Sequence, residues 1–154
     1  MTKQDAFTLM VQHLRTQGAP SFTYKDGSLN CLYRHPDGIK RCAVGVLIMD
    51  KDYTRNIENK GVGGLLIDHP HLGWLAPLNY MDEDSSGIGF LQRMQSLHDS
   101  VIKIDGTIKE GFLDLWENGF RKIARDHGLS VPEHPCKDKG TVEVAVTQAE
   151  TLMV

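Results

Sequence analysis

One stretch constrains this chain more than any other: Cys31-Leu-Tyr-Arg-His-Pro-Asp-Gly-Ile-Lys-Arg-Cys42, running directly into Ala43-Val44-Gly45-Val46-Leu47-Ile48. His35-Pro36-Asp37-Gly38 fits a type I turn, with proline at the second position and glycine at the fourth. A four-residue loop of this kind joins antiparallel strands. Pairing Arg34 with Ile39 then sets Tyr33 against Lys40, Leu32 against Arg41 and Cys31 against Cys42. Directly opposed residues have Cβ atoms about 4.5–5.5 Å apart, close to the spacing a disulfide needs. In that register the two thiols can bridge, share a metal or pack as small apolar groups. A one-residue slip removes all three options.

The chain's 154 residues suit one domain, assigned to residues 1–132, with an extended tail over 133–154. Hydrophobic residues make up 40% and charged residues 24%, an ordinary globular balance. The net charge of −3, from 17 basic and 20 acidic side chains, leaves no basic footprint for nucleic acid. No stretch has the length and apolarity of a membrane span, and Met1-Thr-Lys-Gln-Asp-Ala-Phe lacks a signal-peptide core. Three cysteines, an odd number, then point to the cytoplasm, where Cys31 and Cys42 are free thiols by default.

Periodicity predicts a helix over 2–17, with Phe7, Met10, Val11 and Leu14 on one face, Thr2 as its cap with Asp5 three residues on, and Gly18 as its stop. Ser21-Phe22-Thr23-Tyr24 is β-like and Lys25-Asp26-Gly27-Ser28 a turn. The run from Ala43 to Met49 is read as a short buried helix, Gly61 to Ile67 as a short helix or mobile segment, and Asp68 to Trp74 as a loop. Two stronger helices are expected over 87–103, with Phe90, Leu91, Met94, Leu97, His98 and Val101 on one face, and over 107–127, ended by Gly128. Asp82-Glu83-Asp84 reads as negative charge at a helix start. Alternation over 141–147 suggests one strand in the tail. The expected fold class is α+β and predominantly α: a helical core with a small β-hairpin, about residues 30–42, docked on it.

Three chemistries compete for the hairpin. Cys42, at the start of a helix, is a candidate nucleophile with His98 as base and Asp99 as orienting group. Against this, free cysteines are among the most buried residues, and His98 lies on an apolar helix face. Zinc would need Cys31, Cys42, Cys136 and a histidine, but no Cys-x-x-Cys or His-x3-His spacing is present; no metal and no cofactor are assigned. Third, Arg34, His35, Lys40 and Arg41 offer donors for phosphate or carboxylate, with Tyr33 beside them and Trp74 as a contact residue in an irregular region. The blander reading of the tip is a solvated loop whose charges discourage edge pairing.

The pattern Cys31-x-Tyr33-Arg34-x-Pro36-Asp37-Gly38, then Cys42-Ala43-Val44-Gly45, Leu47-Ile48 and Tyr53, resembles a family of small bacteriophage and bacterial proteins without an established activity. Leu97-His98-Asp99, Trp116 and His127-Gly128-Leu129 extend the resemblance over roughly residues 1–130. This chain has one more residue between Asp37-Gly38 and Cys42 than that pattern, and a long tail. The resemblance implies a phage or mobile-element origin, hence the host cytoplasm and an accessory role. It also implies that the two cysteines, Tyr33, Gly45 and His98-Asp99 form one structural unit. The leading expectation is a non-enzymatic protein that binds a host protein or a small anionic ligand through Tyr33, Arg34, His35, Arg41 and Trp74, blunting a host defence. A cysteine-dependent enzyme and a zinc-stabilised domain are the alternatives, and homo-oligomerisation stays open.

Overall fold

Helix α1, Lys3–Gln17, starts where the sequence sets it: the Thr2 hydroxyl accepts the Asp5 amide at 3.0 Å while the Asp5 carboxylate accepts the Thr2 amide at 2.9 Å. This computed structural model describes residues 1–80 and 88–134. The buried face of α1 carries Ala6, Phe7, Met10, Val11 and Leu14. Its last turn is pinned to the C-terminal helix by a two-pronged ion pair, in which Arg15 Nε and Nη2 donate to the Glu117 carboxylate at 2.7 and 2.9 Å.

The architecture is α+β and predominantly α, with a small two-stranded antiparallel hairpin. The ladder itself lies just upstream of the expected position: β1, Phe22–Lys25, pairs with β2, Ser28–Cys31, from Phe22–Cys31 to Lys25–Ser28. Asp26 (φ 52°) and Gly27 (φ 75°) make the two-residue turn, both in the left-handed region, which is the Asp-Gly geometry matching the strand twist. Cys31 is therefore opposite Phe22.

The 33–42 segment forms a second, looser hairpin in a different register. The expected four-residue turn is present, with the Gly38 amide donating to the His35 carbonyl at 3.0 Å. But Arg34 bridges Arg41, not Ile39, and the Cys42 amide donates to the Tyr33 carbonyl at 3.4 Å. Cys42 thus faces Tyr33. The cause is Asp37, whose Oδ1 accepts the amides of Ile39 and Lys40 at 2.8 and 2.9 Å. With those donors captured, both residues join the loop and the register shifts by two.

After Cys42 the chain forms a single 3-10 turn, Gly45–Leu47, where a longer helix was expected. Gly45 packs on the backbone of Tyr33: a Cβ there would lie 2.8 Å from the Tyr33 carbonyl carbon and closer still to its oxygen. Two more 3-10 turns, Asp50–Asp52 and Arg55–Ile57, lead to α2, Val62–Asp68. The expected loop 68–74 is mostly a 3-10 helix, Pro70–Leu75, running into α3, Ala76–Tyr80. The two long helices are shorter than their windows: α4 is Phe90–Asp99 and α5 is Phe112–His127. Between them an Ile102–Ile108 bridge closes a small loop.

One core joins these elements, centred on Phe7, Met10, Leu14, Leu65, Leu75, Phe90, Trp116 and Phe120. Among the described residues, no helix is long and apolar enough to cross a membrane. The acidic run at 82–84, Cys136 and the strand expected at 141–147 lie outside the described residues.

Candidate functional site

Two constellations gather most of the side chains singled out from the sequence. The first is a buried knot around His98. The imidazole is fully buried and stacks on Trp116, with ring centroids 5.8 Å apart. Its Nε2 accepts the Ser21 amide at 3.0 Å, so the proton sits on Nδ1, which donates to Asp99 Oδ1 at 2.8 Å. Gln95 Nε2 donates to the same oxygen at 2.9 Å, and Gln95 Oε1 accepts the Val44 amide at 3.3 Å. Asp99, Gln95 and His98 thereby tie α4 to the segment entering β1 and to the turn after Cys42.

This geometry bears directly on the cysteine readings. Cys42 is fully buried; its Sγ accepts the Gly45 amide at 3.3 Å, and burial pushes its thiol far above the ordinary range. A nucleophile needs the opposite shift and a base with a free nitrogen, and both nitrogens of His98 are engaged. Cys31, half-buried, is the thiol beside Asp99. Burial first, and then the Asp99 carboxylate, push it up to about 12, so it is no more a thiolate than Cys42. Both cysteines are free. Among the described residues, no three histidine, cysteine, aspartate or glutamate side chains come together as a metal site.

The second constellation is the face built from the 33–42 loop and residues 50–59. Glu58 organises it. Its Oε2 accepts the Tyr33 amide at 2.9 Å, and its Oε1 accepts the Arg34 amide at 2.9 Å and the Tyr53 hydroxyl at 2.8 Å. The Arg34 guanidinium lies over the Tyr53 ring, 4.6 Å from its centroid, and donates from Nη2 to the Ile48 carbonyl at 2.8 Å. Such stacking suits arginine's flat, weakly hydrated head. Between loop and segment opens a cleft of about 610 Å³, walled by Arg34, His35, Tyr53, Arg55 and Glu58, a volume within the range of small-molecule sites. A second opening of about 310 Å³ lies on the other side of Asn59, lined by Cys31, Lys60, Gln95 and Asp99.

The structure brings four of the five expected binding residues onto one loop, in unequal roles. Arg34 and His35 line the cleft. Arg41 lies beside Arg34 through their bridge and pairs with Asp50 at 3.1 Å. Tyr33 turns into the core, its hydroxyl donating to the Lys60 carbonyl at 2.7 Å. Trp74 sits on the 70–75 helix, half-buried against the core, with its indole N–H buried and without a hydrogen-bond partner among the described residues. Sequence reasoning did not single out Asp50, Arg55 and Glu58. Their signal was a dense mix of acidic, basic and tyrosine side chains in a stretch without periodicity.

No protein-family model, curated protein or solved structure matches this chain.

Proposed function

We propose that this protein is a non-enzymatic accessory protein of phage type that works by binding, and that its partner, a host protein or a small anionic ligand, docks on the cleft between the 33–42 loop and residues 53–59. The single observation that carries the reading is Arg55. It stands exposed at the rim of the 610 Å³ cleft, and its guanidinium makes no hydrogen bond or ion pair among the described residues. The other polar side chains singled out in that wall are already committed: Arg34 to Asp50 and Ile48, His35 to the Asp37 amide, and Glu58 to its three donors. A cleft with one unspent cation, a preformed floor and an aromatic side is chemically a recognition surface. Blunting a host defence by occupying one of its components is the accessory role that fits it.

The test is quantitative co-purification from host extract. Wild-type protein and Arg55→Glu are compared by isotope-ratio mass spectrometry of captured proteins and small molecules, with Lys109→Glu as a remote exposed control. The reading expects at least one partner retained by wild type and by the control but depleted about 10-fold by the charge reversal. Identical captures from all three would remove it.

A further inference from the structure

Asp50 is held in an unusual way. Arg34 Nη2 and Arg41 Nη2 reach the same carboxylate oxygen, Oδ1, at 2.8 and 3.1 Å. The side chains of the two arginines are only 17% and 28% exposed, whereas that of Asp50 is 82% exposed. The Arg34 guanidinium and the backbone of Arg41 are positioned without its help. The two backbones are bridged, Arg34 rests on Tyr53 and donates to Ile48, and the backbone of Arg41 is clasped by Gln17, which accepts its amide at 2.8 Å and donates to its carbonyl at 2.9 Å. Asp50 opens an exposed 3-10 turn, and an ion pair so open to water is weakly held. Two guanidinium groups therefore share one tethered, exposed carboxylate, and one positive charge is left over. Two other acids of this face are spoken for, Asp37 by Lys40 and Glu58 by its three donors.

We propose that Arg34 and Arg41 form an oxyanion-binding pair, that Asp50 is its built-in and exchangeable occupant, and that the incoming group is a phosphate monoester. This deepens the reading of the adjoining cleft and rests on it, because Arg34 lines both. An external carboxylate would gain nothing over Asp50, which has the advantage of the tether. A phosphate monoester brings about −1.5 to −2 charges and three acceptor oxygens, enough to engage both arginine forks where Asp50 engages them through one atom. In the free protein Asp50 occupies the pair and offsets one of its two charges, which keeps weaker anions out.

The experiment is calorimetric titration of phenyl phosphate, and separately of a phosphoserine hexapeptide, into the full-length protein at low salt. Wild type, Asp50→Asn, the double variant Asp50→Asn/Arg41→Gln and Arg55→Glu are compared. Removing the internal competitor is expected to tighten phenyl phosphate binding by about 10-fold if Asp50 occupies the pair about nine-tenths of the time. The double variant should lose that gain. Arg41→Lys in the Asp50→Asn background keeps the charge without the fork and guards against misfolding of the glutamine variant; intermediate affinity is expected. Tighter binding of the peptide than of phenyl phosphate assigns the group to a phosphorylated protein, and equal binding to a phosphorylated small molecule. Affinity unchanged or weakened by Asp50→Asn, or undiminished by Arg41→Gln, overturns the exchange. If Asp50→Asn gains affinity while Arg55→Glu leaves partner capture intact, the exchange stands and the cleft reading fails. The reverse pattern saves the cleft and removes the exchange.

Discussion

His98 and Ser21, 77 positions apart in the chain, are joined by a buried hydrogen bond of 3.0 Å from the Ser21 amide to the imidazole Nε2. That contact fixes the tautomer of His98, directs its proton to Asp99 and makes the histidine a clamp between α4 and the hairpin. A side chain that looks in sequence like a general base is held as a structural acceptor.

The clamp has a measurable energy. His98→Ala leaves the Ser21 amide without its acceptor in a buried setting and opens a void beside Trp116. Urea unfolding is expected to show a loss of about 3 kcal/mol or more. A loss below about 1 kcal/mol would mean the clamp is not structural.

Gly45 is set by the same logic of close approach. Its Cα faces the Tyr33 carbonyl so tightly that a methyl group would overlap backbone atoms, which cannot rotate away. Gly45→Ala is therefore expected to destabilise by about 3 kcal/mol or to prevent folding. Gly61→Ala, at a position with open space around it, is the control and should change the melting temperature little.

Glu58 holds the 33–42 loop. Replacing it with alanine removes the acceptor for two main-chain amides and a tyrosine hydroxyl, and is expected to cost roughly 2 kcal/mol. The loop should loosen before the core does. Limited trypsin digestion should then cut after Arg34, Lys40 or Arg41 several-fold faster in Glu58→Ala than in wild type. Equal rates would show that Glu58 does not hold the loop.

Alkaline pH should unfold the protein in a defined window. Burial raises the thiols of Cys31 and Cys42 and the phenols of Tyr33 and Tyr53; Cys31 and Tyr53 are both pushed up to about 12 from ordinary values of 9.0 and 10.0. In that interval the unfolded chain has lost these protons and the native state keeps them. Stability from these groups is thus complete below about pH 9 and falls as pH rises toward 12. Chemical denaturation from pH 7 to 11 should show the decline. Peptide-resolved iodoacetamide labelling at pH 8 should leave Cys31 and Cys42 largely unmodified in native protein; rapid labelling of Cys42 would contradict its buried placement.

What the sequence disclosed and what it hid follow from the range of the interactions. The start of α1 was legible because Thr2 and Asp5 lie within one turn, and so was the apolar face of α4 that buries His98. The Asp26-Gly27 turn was legible as a turn. The β-like stretch before it became β1, but the partner strand β2 was lost to the more conspicuous Pro36-Asp37-Gly38 loop, whose own register depends on where one aspartate sends its oxygen. Glu58 and Ser21 were hidden for a different reason: Ser21 acts through its amide on a ring 77 residues away, and Glu58 holds two amides 24 and 25 residues upstream. No periodicity marks such a contact. Gly45, Tyr33 and Asp99 are likewise far apart in the chain and meet through the glycine-on-carbonyl contact and the Gln95 bridge from Asp99 to Val44.

The proposal that this chain binds its partner on the cleft between the 33–42 loop and residues 53–59 is tested most directly by hydrogen–deuterium exchange of the free protein against its purified complex. The account predicts added protection in peptides spanning 32–38 and 53–59, with the buried knot around Ser21 and His98 unchanged. Protection confined to other surfaces, with those two peptides exchanging as in the free protein, would contradict it.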